Sequence, residues 1–276
     1  MIVLQKRDLK LLYALNLGRV LTIKQIKAYL FSNASKVACR NRLGRLASQR
    51  FVKNIQGKTN CLVGFSQGVW TLDSAGFKFL DIRKRGVYAS SFSISHQLHL
   101  NDVMLAFFHE YGDQSILWNP DSSTRYDTQV GYFEPDAVLI NPLNEAKVFF
   151  EFDNGTKYTK ALLRNLSKYW LWFSENRDEN VSLHYSVNSN ARAYFIKQAL
   201  EKMYSKYKDE YQLPLTIKIP FSISVKEDSH EHLGQLMFGN QVDVSAQEKL
   251  DQVINQEDVM MKKPKKQAIS NFPEWV

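Results

Sequence analysis

Between Pro135 and Gly155 the sequence reads "PDAVLINPLNEAKVFFEFDNG". Two apolar, β-like runs are separated by Asn-Pro and Asn-Glu, so the stretch first suggests a hairpin. Asp136 opens one run, and Glu151 and Asp153 close the other. Strand alternation puts Phe149, Glu151 and Asp153 on one face, the two acids about 7 Å apart along the strand. Asp136 lies beside them if the strands pair. Three carboxylates at a strand end repel one another unless their charge is cancelled. Such oxygen-rich clusters suit Mg²⁺ or Mn²⁺, which take carboxylates and water and activate a nucleophile against a phosphodiester. Turn chemistry is the alternative for Asp136 and Asp153, since Pro-Asp and Asp-Asn-Gly are loop formers. It does not account for Glu151, which sits between Phe150 and Phe152, where an unpaired carboxylate is costly.

The surrounding pattern sets the fold class. "SISHQLHLNDVMLAFFHEYG" reads as a helix closed by Gly112, followed by "SILWN", "GYFEPDAVLI" and "AKVFFEFD" as strands. An amphipathic helix then runs to about Phe173, and "VSLHYSV", "ARAYFIKQALEKMYSKY" and "LPLTIKIPFSIS" give strand, helix, strand. The order is αβββαβ with an αβ extension, a mixed α/β (α+β) domain. The aromatics of "YWLWF", 169 to 173, could stack on bases, but at helical spacing they read mainly as core.

Charge divides the chain. Residues 1 to 90 hold 17 Lys plus Arg against 3 acids, whereas residues 91 to 276 hold 19 against 25. The basic part attracts phosphate backbones through counterion release. Its residues 6 to 17 predict a helix stopped at Gly18, and Thr22 caps a second. A third, from about Ser35 to Arg50, carries the apolar stripe Cys39, Leu43, Leu46 and Ala47. Its opposite face shows Asn41, Arg42, Arg45 and Ser48, with Arg40 at the margin, the display expected of a helix in a major groove. "FVKNIQ", "GKTN" and "CLVGFS" follow as a β-ribbon with Lys58 at its tip. Three helices and a basic ribbon spell a winged helix-turn-helix, over residues 1–85. Double-stranded DNA is the expected partner, and a protein-binding winged helix the alternative. "RKRGVYASSFSIS", 83 to 95, reads as a linker, residues 93–225 as the second domain, and 237–276 as a flexible polar tail whose final Phe-x-x-Trp suits a docking peptide.

Other classes lose support. No apolar run approaches the roughly 18 residues of a membrane span, and "MIVLQKRDLKLLYAL" lacks the pattern of a secretory leader. Cys39 and Cys61 make neither a disulfide framework nor a zinc set, so a cytoplasmic location is expected. Neither a Gly-Lys-Ser phosphate loop nor a Gly-x-Ser-x-Gly elbow is present. His96 and His99 read as capping or core residues rather than metal ligands. "EDSHEHLGQ", with His230 and His232, reads as a polar loop.

The carboxylate arrangement resembles the PD-(D/E)xK nuclease superfamily, whose core is αβββαβ. Pro135-Asp136 matches its first element and Glu151 its second, with 14 residues between. Asp153 stands where the superfamily usually has lysine. The resemblance implies a lysine from the neighbouring helix, Lys168 first and Lys160 in reserve. "H-x2-H-x-N-D" at His96 to Asp102, "F-E-F-D-N-G-T" and Lys168-Tyr169, behind a winged helix, are similar to the replication-relaxation family of plasmid proteins and to MobC-type mobilisation relaxases. The similarity spans about residues 5 to 225. It implies binding at a plasmid origin and metal-dependent nicking of one strand, with Asp136, Glu151 and Asp153 on the metal and Lys168 polarising phosphate or water. Other relaxosome or replication proteins and a second copy of the chain are the implied partners. A non-catalytic regulator with a degenerate nuclease fold is the alternative, and a restriction or transposition endonuclease a third reading.

Overall fold

The computed structural model describes residues 2–55, 68–83, 91–111, 117–120, 125–155, 158–177, 179–210 and 218–238. Lys58, Cys61 and the ribbon turn lie outside the described residues, as does the tail from 239 onward.

Helix α1 (Lys6–Gly18) packs Leu11, Leu12 and Leu15 inward. Strand β1 (Leu21–Thr22) leads to α2 (Ile23–Gln25), where Thr22 Oγ1 accepts the Gln25 N–H at 3.1 Å, satisfying one of the orphan donors of a helix start. A π-helical turn, Ile26–Leu30, continues α2. Helix α3 (Lys36–Ser48) is capped by Ser35, whose Oγ accepts from the Ala38 N–H at 3.1 Å, and buries Cys39, Leu43 and Leu46. Strands β2 (Val52–Asn54) and β3 (Val69–Leu72) complete a small sheet in the order β1-β3-β2, antiparallel throughout. Helix α4 (Ser74–Phe79) follows.

The main sheet lies beyond α5 (Ser91–Tyr111). Its strands are β4 (Leu117–Pro120), β7 (Ala137–Ile140), β8 (Lys147–Asp153), β9 (Val181–Val187) and β10 (Phe221–Val225), in the order β10-β9-β8-β7-β4. β4, β7 and β8 pair antiparallel, and β8, β9 and β10 parallel. A separate hairpin, β5 (Tyr126–Thr128) with β6 (Gly131–Phe133), sits between β4 and β7 in sequence. Helices α6 (Thr159–Glu175), α7 (Asn190–Tyr207) and α8 (Ser229–Phe238) complete the chain. The fold is mixed α/β, with helices on both faces of the main sheet. Among the described residues no helix is long and apolar enough to cross a membrane.

Strand parity divides the core. Val148, Phe150 and Phe152 of β8 join a cluster with α5, α8 and α1, whereas Phe149 joins α6 and α7. One cluster thus runs from Leu11, Leu12 and Leu15 through Val103 and Phe107 to Phe152, across the basic and acidic halves of the chain.

Four sequence expectations are corrected. The linker expected over 83 to 95 gives way to helix at Ser91, and Ile94 is buried beside Val20 and Ile55. "EDSHEHLGQ" is not a loop. It enters α8, where Ser229, Leu233 and Met237, one turn apart, are fully buried on one side of the helix. "GYFEPDAVLI" is two strands, since Pro135 has no N–H for a ladder and breaks the run between β6 and β7. The expected tail also begins too early, as Met237 and Phe238 end α8.

Candidate functional site

On α3 the exposed residues are Lys36, Val37, Ala38, Arg40, Asn41, Gly44, Arg45 and Ser48. Val37 is 64% exposed. At Gly44 a Cβ would meet no atom within 4 Å, so no packing demand within the chain calls for glycine there. Glycine in a helix interior costs about 1 kcal/mol relative to alanine. Ser48 Oγ donates to the Arg45 carbonyl at 2.8 Å. Arg42 does not belong to this face. Its Nε donates to Asp8 Oδ1 at 2.9 Å and its Nη2 to the Val3 carbonyl at 2.8 Å and to Asp8 Oδ2. Asp8 is fully buried and hydrogen-bonds Arg42, which holds the guanidinium charged. Arg42, expected to read DNA, instead ties α3 to α1.

At the end of β7 and β8 the register pairs Ala137 with Phe150, which brings Asp136 beside Glu151. Asp136 Oδ2 accepts the Phe152 N–H at 2.8 Å, and Oδ1 lies 3.1 Å from His96 Nε2. His96, expected as a capping or core residue, thus engages the first carboxylate. Glu151 is buried, and Tyr169 Oη donates to its Oε1 at 2.6 Å. Burial first, then the Glu151 charge, pushes Tyr169 well above its ordinary value, so it remains a proton donor. Asp153 is buried too, and its oxygens accept Arg192 Nε at 2.8 Å and Nη2 at 3.1 Å, a bidentate pair, with the Gly155 N–H at 2.6 Å. The three acids are near in sequence register, yet each has its own partner. Among the described residues no three His, Cys, Asp or Glu side chains form a group able to hold a metal ion.

Lys168 faces elsewhere. Its Nζ donates to the Tyr132 carbonyl at 2.6 Å and lies 5.6 Å from the Tyr132 ring centre, on the β5–β6 hairpin. Burial first, then Arg164, lowers it from the ordinary lysine value. The charge acting on it is another cation.

The motif at His96 to Asp102 lies on α5, between the small sheet and the large one. His99 stacks on Phe152 at 5.1 Å, and its Nδ1 hydrogen-bonds Lys226 Nζ at 3.0 Å. Lys226 also meets Asp102 Oδ2 at 3.2 Å. Asp102 Oδ1 and the Leu98 carbonyl both accept from Gln25 Nε2 at 2.8 Å, and Asn101 Nδ2 donates to the Gly18 carbonyl at 2.9 Å. One helical motif therefore connects α1 and α2 to the strand that bears the carboxylates.

A model of the replication-relaxation family matches residues 12–181, from α1 to the first residue of β9. The chain belongs to the replication-relaxation family. Membership points to a role in plasmid or mobile-element replication or relaxation. The match takes in the α3 face, the α5 motif, all three carboxylates and Lys168, while Arg192 lies beyond it. No curated protein and no solved structure matches this replication-relaxation protein significantly.

Sequence reasoning missed Arg192, 39 residues after Asp153. Only its place in the first turn of the helix after β9 hints at that pairing.

Proposed function

We propose that this chain is a sequence-specific DNA-binding protein of a plasmid or mobile element. It acts at an origin of replication or transfer, with the N-terminal module as a winged helix-turn-helix and the main sheet as a PD-(D/E)xK-like core. The order α1-β1-α2-α3-β2-β3 supports the first assignment, and three antiparallel strands followed by a parallel one after α6 support the second. The observation that carries the reading is the α3 face: two exposed arginines with no ion pair among the described residues, an asparagine, and a glycine whose added Cβ would meet no atom within 4 Å. Arg40 and Arg45 would neutralise phosphates or read guanine edges, Asn41 suits adenine, and Gly44 lets the helix backbone approach a groove wall.

Gly44 supplies the test. Gly44→Gln removes a helix-interior glycine, so the protein should become more stable by roughly 0.5–1 kcal/mol. The new side chain stands on the DNA face, so affinity for origin-bearing duplex should fall at least ten-fold. Stabilisation with undiminished binding would remove α3 from the interface.

Metal-dependent nicking is the second reading, favoured by the juxtaposition of Asp136 and Glu151 across β7 and β8. The donor set does not fit a metal ion as arranged. Glu151 is taken by Tyr169, both oxygens of Asp153 by Arg192, and Lys168 by Tyr132. This favours a binding protein with a nuclease-like core. Supercoiled origin plasmid incubated with either ion should remain supercoiled. Nicking by the wild type that is lost in both Asp136→Ala and Glu151→Ala would replace this reading with the relaxase.

A further inference from the structure

The outer face of α6 carries Lys160, Arg164 and Lys168 at successive four-residue steps, a stripe about 12 Å long. With Tyr132 and Tyr158 they line a groove of about 710 Å³ between α6 and the β5–β6 hairpin, and no acid lines it among the described residues. Tyr158, just before α6, is 85% exposed, and Tyr132 is 44% exposed. Arg125 lies over the Tyr132 ring at 3.9 Å and pairs with exposed Asp127 at 2.9 Å, so Tyr132 is covered by cations while Tyr158 stands open. The sheet needs none of this. Leu162, Leu163, Leu166, Tyr169 and Trp170 hold α6 to the core from its other face.

We infer that this groove is a second nucleic-acid contact, binding a single strand. The cation stripe takes successive phosphates, and Tyr158 stacks on an unpaired base. A duplex keeps its base faces inside, whereas a single strand offers them to an exposed aromatic ring. Burial first, and then the neighbouring Arg164, lowers Lys168, and an anion in the groove would offset the second of these. The inference rests on the proposed DNA-binding role and gives the core a task in it, holding one strand near the duplex that α3 binds.

The test uses the full chain and a labelled oligothymidylate of about 16 nucleotides, read by fluorescence anisotropy across a salt series. Lys160→Gln/Arg164→Gln should weaken single-strand binding at least ten-fold and reduce its salt slope by about 1.4, for two lost phosphate contacts. Tyr158→Ala should weaken it about ten-fold at an unchanged slope. All three positions are exposed, so thermal melting should be unaffected. Arg40→Ala/Arg45→Ala should leave single-strand binding intact while lowering duplex binding. The inference is overturned if the wild type does not bind the oligonucleotide, or if the α6 variants bind it as tightly as the wild type. Failure of the duplex arm alone would count against the α3 reading and leave the groove standing.

Discussion

Arg42 and Arg45 lie three residues apart on α3, and their surroundings give them different work. Arg42 is paired with fully buried Asp8, whereas Arg45 is exposed. Removing one partner of a buried pair strands the other charge, so Arg42→Ala should cost roughly 3 kcal/mol in urea unfolding. Arg45→Ala should leave stability within about 0.5 kcal/mol and weaken DNA binding instead. Equal stability losses would erase the distinction. Tyr169→Phe would leave buried Glu151 without its hydroxyl donor, a loss of about 1–3 kcal/mol. His184 is fully buried between Ser222 Oγ (2.7 Å) and Ser224 Oγ (3.1 Å), and burial lowers it to about 3. The unfolded chain takes up this proton near pH 6.5, but the folded chain does so only near 3. Stability should therefore fall as pH drops through that window, by at most about 1.4 kcal/mol per pH unit from this group. His184→Gln should flatten that part of the profile, and an unchanged profile would show that other groups dominate it.

At the scale of elements, α5 is the joint between the two halves. Gly18 ends α1 against it so closely that an added Cβ would lie 2.6 Å from Asn101 Oδ1. Gly18→Ala should thus destabilise the protein by about 1–3 kcal/mol, the ordinary cost of overpacking. A melting temperature equal to the wild type would show that the joint yields. Much of this level was legible in the sequence: the stop at Gly18, the Thr22 cap, the stripe Cys39, Leu43, Leu46, and the shared face of Phe149, Glu151 and Asp153. Those features follow from local periodicity. The partners were not legible, because Asp8 with Arg42 and Asp153 with Arg192 join helices and strands 34 and 39 residues apart. Helix α8 was obscured because its first turns are polar and only Leu233 and Met237 show its buried side. Lys168 was assigned to the carboxylates by motif, but the helix turns it toward Tyr132, while its neighbour Tyr169 meets Glu151.

For the whole molecule, the basic N-terminal module and the larger sheet share one apolar cluster through α1, α5 and β8. The α3 face and the carboxylate strand are then tied to one framework, through the α5 motif that Gln25, Asn101, Asp102 and His96 connect. Such a framework would hold the proposed duplex-binding face of α3 and the proposed groove on α6 in a set geometry. Duplex binding by α3 through Arg40 and Arg45, as proposed, is read by the slope of log affinity against log salt for origin-bearing duplex, wild type against Arg40→Ala/Arg45→Ala. Two lost phosphate contacts should reduce that slope by about 1.8, with affinity down at least ten-fold at low salt. An identical slope and affinity would show that α3 does not bind the duplex.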